Sequence, residues 1–75
     1  MPHVSISLYP GRTSEMKKEM AEKIVKCLVD SYKWQPGDIS VSLEEIPKDD
    51  FANKINEKIS NEELLMQSDY IKKER

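Results

Sequence analysis

Three residues of this chain carry side groups and positions suited to chemistry: Pro2, Arg12 and Phe51. Pro2 stands directly behind Met1. With Met1 attached, its nitrogen is a tertiary amide with no basicity and no proton. Removal of Met1 would turn that nitrogen into a secondary amine. An α-amino group ordinarily titrates at about 7.7–8.0. Apolar surroundings and a nearby cation both favour its neutral form, and a neutral amine suits a general base near pH 7. Val4 and Ile6 supply apolar context, and Arg12 could be the cation. Position alone favours an ordinary chain-start proline. Arg12 follows Pro10-Gly11 and is the only arginine away from the C-terminus. Its planar fork can hold a carboxylate through two parallel hydrogen bonds. An ordinary surface arginine is the other reading, although the start of a helix disfavours a cation. Phe51 is the only phenylalanine, spaced with Ile55 and Ile59 as a core residue on a short helix would be.

The remaining reactive side chains read as structural. His3 is the only histidine. A terminal copper site fails, because Pro2 has no amide proton to lose and removal of Met1 would make the histidine second. His3 therefore reads as a strand-surface residue or the edge of a site. Cys27 falls on a helix stripe and reads as core. Tyr32 and Trp34 read as packing residues, and Met16 with Met20 as part of the same stripe.

The elements that must position these groups follow from periodicity. Val4, Ile6 and Leu8 alternate with polar neighbours, which predicts a half-buried strand ended by Pro10-Gly11. Thr13 or Ser14 can cap a helix, with Glu15 in its first turn. Met16, Met20, Ile24 and Leu28, widened by Ala21, Val25 and Cys27, predict an amphipathic helix ending near Tyr32, before Gln35-Pro36-Gly37-Asp38. Ile39, Val41 and Leu43 predict a second strand. A helical crossover between two strands makes them parallel and the crossover right-handed. Phe51, Ile55 and Ile59 predict a short helix. Ser60 and Glu63 match a capping box ahead of a last helix through Leu64, Leu65 and Met66. Tyr70 and Ile71 could dock a polar tail.

Composition narrows the function classes. Seventy-five residues make one domain with a marginal core. One cysteine gives no internal disulfide and no zinc spacing exists, so self-association is the expected remedy. A net charge of −2 argues against nucleic acid as a partner. No apolar run approaches a membrane span, and the start lacks the features of a signal peptide. The expected location is the cytoplasm. Two strands cannot stand alone as a sheet, so pairing two βαβ units into a four-stranded sheet is the natural completion.

Pro2, the Gly11-Arg12 pair just after the first strand, the long helix, the second strand and Phe51 together resemble the 4-oxalocrotonate tautomerase family. The resemblance implies an α+β, β-α-β tautomerase/MIF-like fold, in which two chains form a four-stranded mixed sheet with helices on one face. It implies a single domain over 1–75, with 51–75 as a helical C-terminal extension like that of the longer, dimeric members. It implies a cofactor-independent, metal-independent isomerase that interconverts enol and keto forms of 2-oxo acids. Pro2 would be the base and acid, Arg12 would bind substrate oxygens, and Phe51 would shape the pocket. Well-known members carry a second arginine early in the second strand, where this chain has Ser40. Ser40 is then the candidate substrate contact at that place, and a monoacid such as phenylenolpyruvate becomes a better fit than the diacid 2-hydroxymuconate. The Gly-rich hairpin of hexameric members is missing, which favours a homodimer. Two alternatives remain: a hydratase or dehalogenase using the same amine, and a non-catalytic dimeric binding module. Ser40, His3 and Glu44 do not form a clear water-activating set for the former.

Overall fold

A computed structural model describes residues 1–68. The elements run in the order β1 (His3–Leu8), α1 (Ser14–Tyr32), a 3-10 turn (Pro36–Asp38), β2 (Ser40–Glu45), α2 (Lys48–Lys58) and a second 3-10 turn (Ile59–Asn61). β1 and β2 are neighbours in a two-stranded sheet. The Ser40 N–H donates to the Pro2 carbonyl at 3.2 Å, and the Ile46 N–H donates to the Leu8 carbonyl at 2.8 Å. Partner positions rise together along both strands, so the strands are parallel, as a helical crossover requires. The β-α-β order matches the fold class read from the sequence.

The chain divides into two compact units. The first holds Met1–Ile6 and Gly11–Glu44, and the second holds Ser7–Pro10 and the chain from Glu45 onward.

In the first unit the strands show the expected alternation. Val4, Ile6, Val41 and Leu43 are half-buried, while His3, Ser5, Ser40, Ser42 and Glu44 are exposed. The turn into α1 depends on Gly11, whose φ of 118° lies in a region that side-chain-bearing residues rarely adopt. A Cβ there would meet no atom within 4 Å, so the requirement for glycine is conformational rather than steric. Thr13 caps α1: its Oγ1 accepts from the Met16 N–H at 3.1 Å, satisfying one of the orphan donors of the first turn. The helix ends on Lys33 in the left-handed region, with φ 65°, its N–H donating to the Val29 carbonyl at 3.0 Å. This is the geometry glycine usually supplies at a C-terminus.

The buried side of α1 differs from the sequence reading in one respect. Lys17, Met20, Ala21, Ile24, Val25, Leu28 and Val29 are half-buried. At 3.6 residues per turn they fill one side of the helix. Cys27 and Met16 lie just beyond the same edge of that side, and both are exposed. Cys27 is therefore not a core residue of the isolated chain.

The second unit is built around Ile46, at 2% exposure the only buried hydrophobic residue among those described. α2 starts earlier than its apolar spacing suggested: Lys48–Asp50 form its first turn, and the Asp50 N–H donates to the Pro47 carbonyl at 3.0 Å. Asp49 and Asp50 at the start and Lys58 at the end agree with the helix dipole. The predicted capping box at Ser60 does not form. The Ser60 hydroxyl donates back to the Glu57 carbonyl at 2.8 Å, and Glu62 is extended. With its hydroxyl committed to the preceding helix, Ser60 cannot cap a new one. Residues 63–68 contain no helix, and Leu65 and Met66 are 79% and 88% exposed. The expected docking of Tyr70 and Ile71 lies outside the described residues. No helix among the described residues is long and apolar enough to cross a membrane.

Candidate active site

Pro2 immediately precedes β1 and is half-buried. Its carbonyl is held by the Ser40 N–H. Met1 is fully exposed and projects from it. By strand alternation Pro2 falls on the same side as Val4 and Ile6, the apolar context expected to favour a neutral amine.

Arg12 lies in the same unit, between the left-handed Gly11 and the helix cap Thr13. It is exposed, and among the described residues its guanidinium makes no ion pair or hydrogen bond. Two nearby features fix its backbone, the Gly11 turn and the Thr13 cap. The side chain itself is uncommitted, so its five donors remain open to an anion.

Ser40 is engaged from two directions. Its backbone N–H holds Pro2, and its Oγ lies 2.6 Å from His3 Nδ1. The other ring nitrogen, His3 Nε2, lies 3.1 Å from Ser42 Oγ. These three side chains share the polar side of the strand pair, opposite Val4. Ser40 thus joins Pro2 through the backbone, while its hydroxyl serves His3. Sequence reasoning read His3 as a strand-surface residue or the edge of a site; it is exposed on the strand pair, and its contacts with the two serines were missed. The signal was available only in the register: parallel pairing of Pro2 with Ser40 sets His3 between positions 40 and 42.

Phe51 belongs to the second unit. It is half-buried on α2, and its ring meets Tyr9 edge-to-face, with centroids 4.8 Å apart and planes at 83°. That geometry is a favourable aromatic pairing, so the core reading of Phe51 holds within this unit. Among the described residues no group of histidine, cysteine and carboxylate side chains could hold a metal ion.

Residues 2–54 match a family model described as "Tautomerase enzyme", a stretch that opens on Pro2 and includes Arg12, Ser40 and Phe51. The chain belongs to the 4-oxalocrotonate tautomerase family. Among tautomerases of this kind, a probable tautomerase of Bacillus cereus is 35% identical over 52 residues, covering 69% of this chain and 85% of the relative. A 2-hydroxymuconate tautomerase of Bacillus subtilis is 33% identical over 52 residues, covering 69% and 84%. The crystal structure of a homologue of 4-oxalocrotonate tautomerase superposes with a TM-score of 0.61 at 31% identity, covering 64% of this chain and 79% of that one. A second member of the 4-oxalocrotonate tautomerase family gives 0.61 at 30% identity, covering 63% and 73%. The family match ends at residue 54, inside α2.

Proposed function

We propose that this tautomerase interconverts the enol and keto forms of a monocarboxylic 2-oxo acid, with Pro2 as base and acid once Met1 is removed. The observation that carries the reading is the pairing of Pro2, at the head of the family match, with the uncommitted guanidinium of Arg12 in the same unit. In the reaction the neutral amine of Pro2 takes the proton of the enol hydroxyl. The oxygen's electron pair forms the carbonyl, and the adjacent carbon takes the proton back from the ammonium. Atoms balance without a cofactor, and no metal is needed. Arg12 binds the carboxylate or the oxygen that carries developing charge, where a charged, two-pronged donor is most effective.

Ser40 supports the choice of a monoacid. It is a neutral hydroxyl directed to His3, not a second cation for a second carboxylate. The relative named for 2-hydroxymuconate, a diacid, gives the competing reading for substrate. The acting form is a homo-oligomer, a dimer in preference to a hexamer, and a single functional domain over 1–75 located in the cytoplasm. Its support is the small interior: with Ile46 alone buried among the described residues, a lone chain has little core to stabilise it.

The test is ketonisation of phenylenolpyruvate and of 2-hydroxymuconate by protein whose N-terminus has been verified by intact mass. Met1-free protein turns over the monoacid faster, and protein retaining Met1 is inactive. Equal turnover by the two forms rules out the proline mechanism.

A further inference from the structure

We propose that His3 is a positioning residue, clamped between Ser40 and Ser42, that fixes the terminal amine of Pro2 against β2. The inference rests on the proposed role of Pro2 and adds a determinant that the sequence reading left between strand surface and site edge. Three contacts tie two consecutive residues to one short stretch of β2. The Pro2 carbonyl accepts from the Ser40 N–H at 3.2 Å, His3 Nδ1 lies 2.6 Å from Ser40 Oγ, and His3 Nε2 lies 3.1 Å from Ser42 Oγ.

The need for such a clamp is physical. Chain termini are poorly ordered unless tied down. A general base must sit within hydrogen-bond reach of the proton it moves, and a displacement of about 1 Å can lower a rate by about a hundredfold. Pro2 has no N–H of the backbone type to add to the ladder, so its single tie is its carbonyl. A side chain on the next residue is the nearest place from which to add another. His3 supplies two, one from each ring nitrogen. The serines lie two positions apart on one strand face, and the imidazole spans them. One residue of slippage would carry His3 to the opposite face and lose both contacts, so the clamp also fixes the register that places Pro2 on the Val4 side. Serine hydroxyls both donate and accept. The bridge therefore survives in either protonation state of the ring.

All three side chains are exposed, so water competes for their bonds and the expected effect is moderate. His3→Ala in Met1-free protein lowers kcat for the enol acid by about tenfold, within the range that misplacement allows, while KM stays near the parent value because Arg12 is untouched. Asparagine places its amide near the position of Nδ1, so His3→Asn keeps the Ser40 contact and restores most of kcat. Adding Ser40→Ala to His3→Ala changes little beyond His3→Ala alone, as expected when the hydroxyl's partner is already gone. A loss of kcat in His3→Ala that His3→Asn does not restore assigns the ring a chemical role and overturns the clamp. Unchanged kcat in His3→Ala overturns it as well. Hydrogen exchange of the Ser40 amide provides a readout independent of turnover. It quickens in His3→Ala and in Ser42→Ala if the clamp holds the strand pair, and it is unchanged if the clamp is wrong. Absence of turnover in the parent would refute the proposed function, and the exchange measurement would then decide the clamp alone.

Discussion

Replacing Arg12 with alanine separates binding chemistry from structure. Arg12 is exposed and unpaired among the described residues, so the folded chain loses no contact when its guanidinium is removed. Its backbone position is set by Gly11 and by the Thr13 cap, neither of which depends on the side chain. Surface substitutions of this kind change stability by about 0.5 kcal/mol or less. Removing a cation from the start of α1 relieves a repulsion of about 0.3–1 kcal/mol. The folded state of Arg12→Ala should therefore be as stable as the parent or slightly more so. A hydrogen bond to a charged group contributes about 1.5–3 kcal/mol. If Arg12 holds the substrate carboxylate, its loss lowers kcat/KM by about 10- to 150-fold. The two effects have opposite signs, which makes the experiment discriminating. The assay is steady-state ketonisation of phenylenolpyruvate, run beside urea melts of both proteins. Arg12→Lys keeps the charge but not the planar fork, and should recover only part of the loss. Unchanged kcat/KM in Arg12→Ala would reduce Arg12 to a surface residue and remove the substrate-binding half of the mechanism.

Other outcomes follow from the same geometry. Gly11→Ala should destabilise by about 1–3 kcal/mol, since the cost is backbone strain at positive φ and not collision; urea denaturation measures it, and a neutral result would show that the turn relaxes freely. Phe51→Ala should cost about 2 kcal/mol or more, from lost burial and the lost ring pair with Tyr9, whereas Phe51→Tyr, which keeps the ring, should cost less in the same melts. Light scattering at micromolar concentration should give the mass of two chains, and dilution that separates them should abolish turnover; a folded, active monomer would contradict the argument from core size.

The first half of the molecule was largely legible from local pattern. The period-two runs at Val4–Leu8 and Ile39–Leu43 gave strands, and the Thr13 cap and the Gln35-Pro36-Gly37 loop bracketed the helix between them. Pro2 and Arg12 stood out because their chemistry is tied to chain position and to a glycine turn, both visible in one dimension. What escaped was decided by choices between equivalent local options or by contacts distant in sequence. Ser60 had two available uses for its hydroxyl, a new cap or a bond to the preceding turn, and the bond to the Glu57 carbonyl prevailed. Lys33 occupies a left-handed position that the sequence would assign to glycine. Cys27 sits at the margin of the apolar stripe, where a shift of a few tens of degrees in the helix face changes core into surface. His3 with Ser40 and Ser42 required the strand register.

The two sides of the strand pair bear on how a small interior could be enlarged. One side presents Val4, Ile6, Val41 and Leu43, all half-buried. The other presents His3, Ser5, Ser40, Ser42 and Glu44, all exposed, with His3 already bonded to both of its serine neighbours. The polar side loses nothing by facing water, and covering it would require new partners for each hydroxyl. The open edges are different. Among the described residues the sheet has two strands, so each strand has an outer edge, and the N–H and C=O groups of such an edge are a template for another strand. Edge pairing between two chains would satisfy those groups and widen the apolar side at once, while leaving the polar side in water. Stacking through the polar side would do neither. That difference is the physical case for growth by one further copy at an edge, and it keeps the His3 contacts at the end of the strand that carries Pro2.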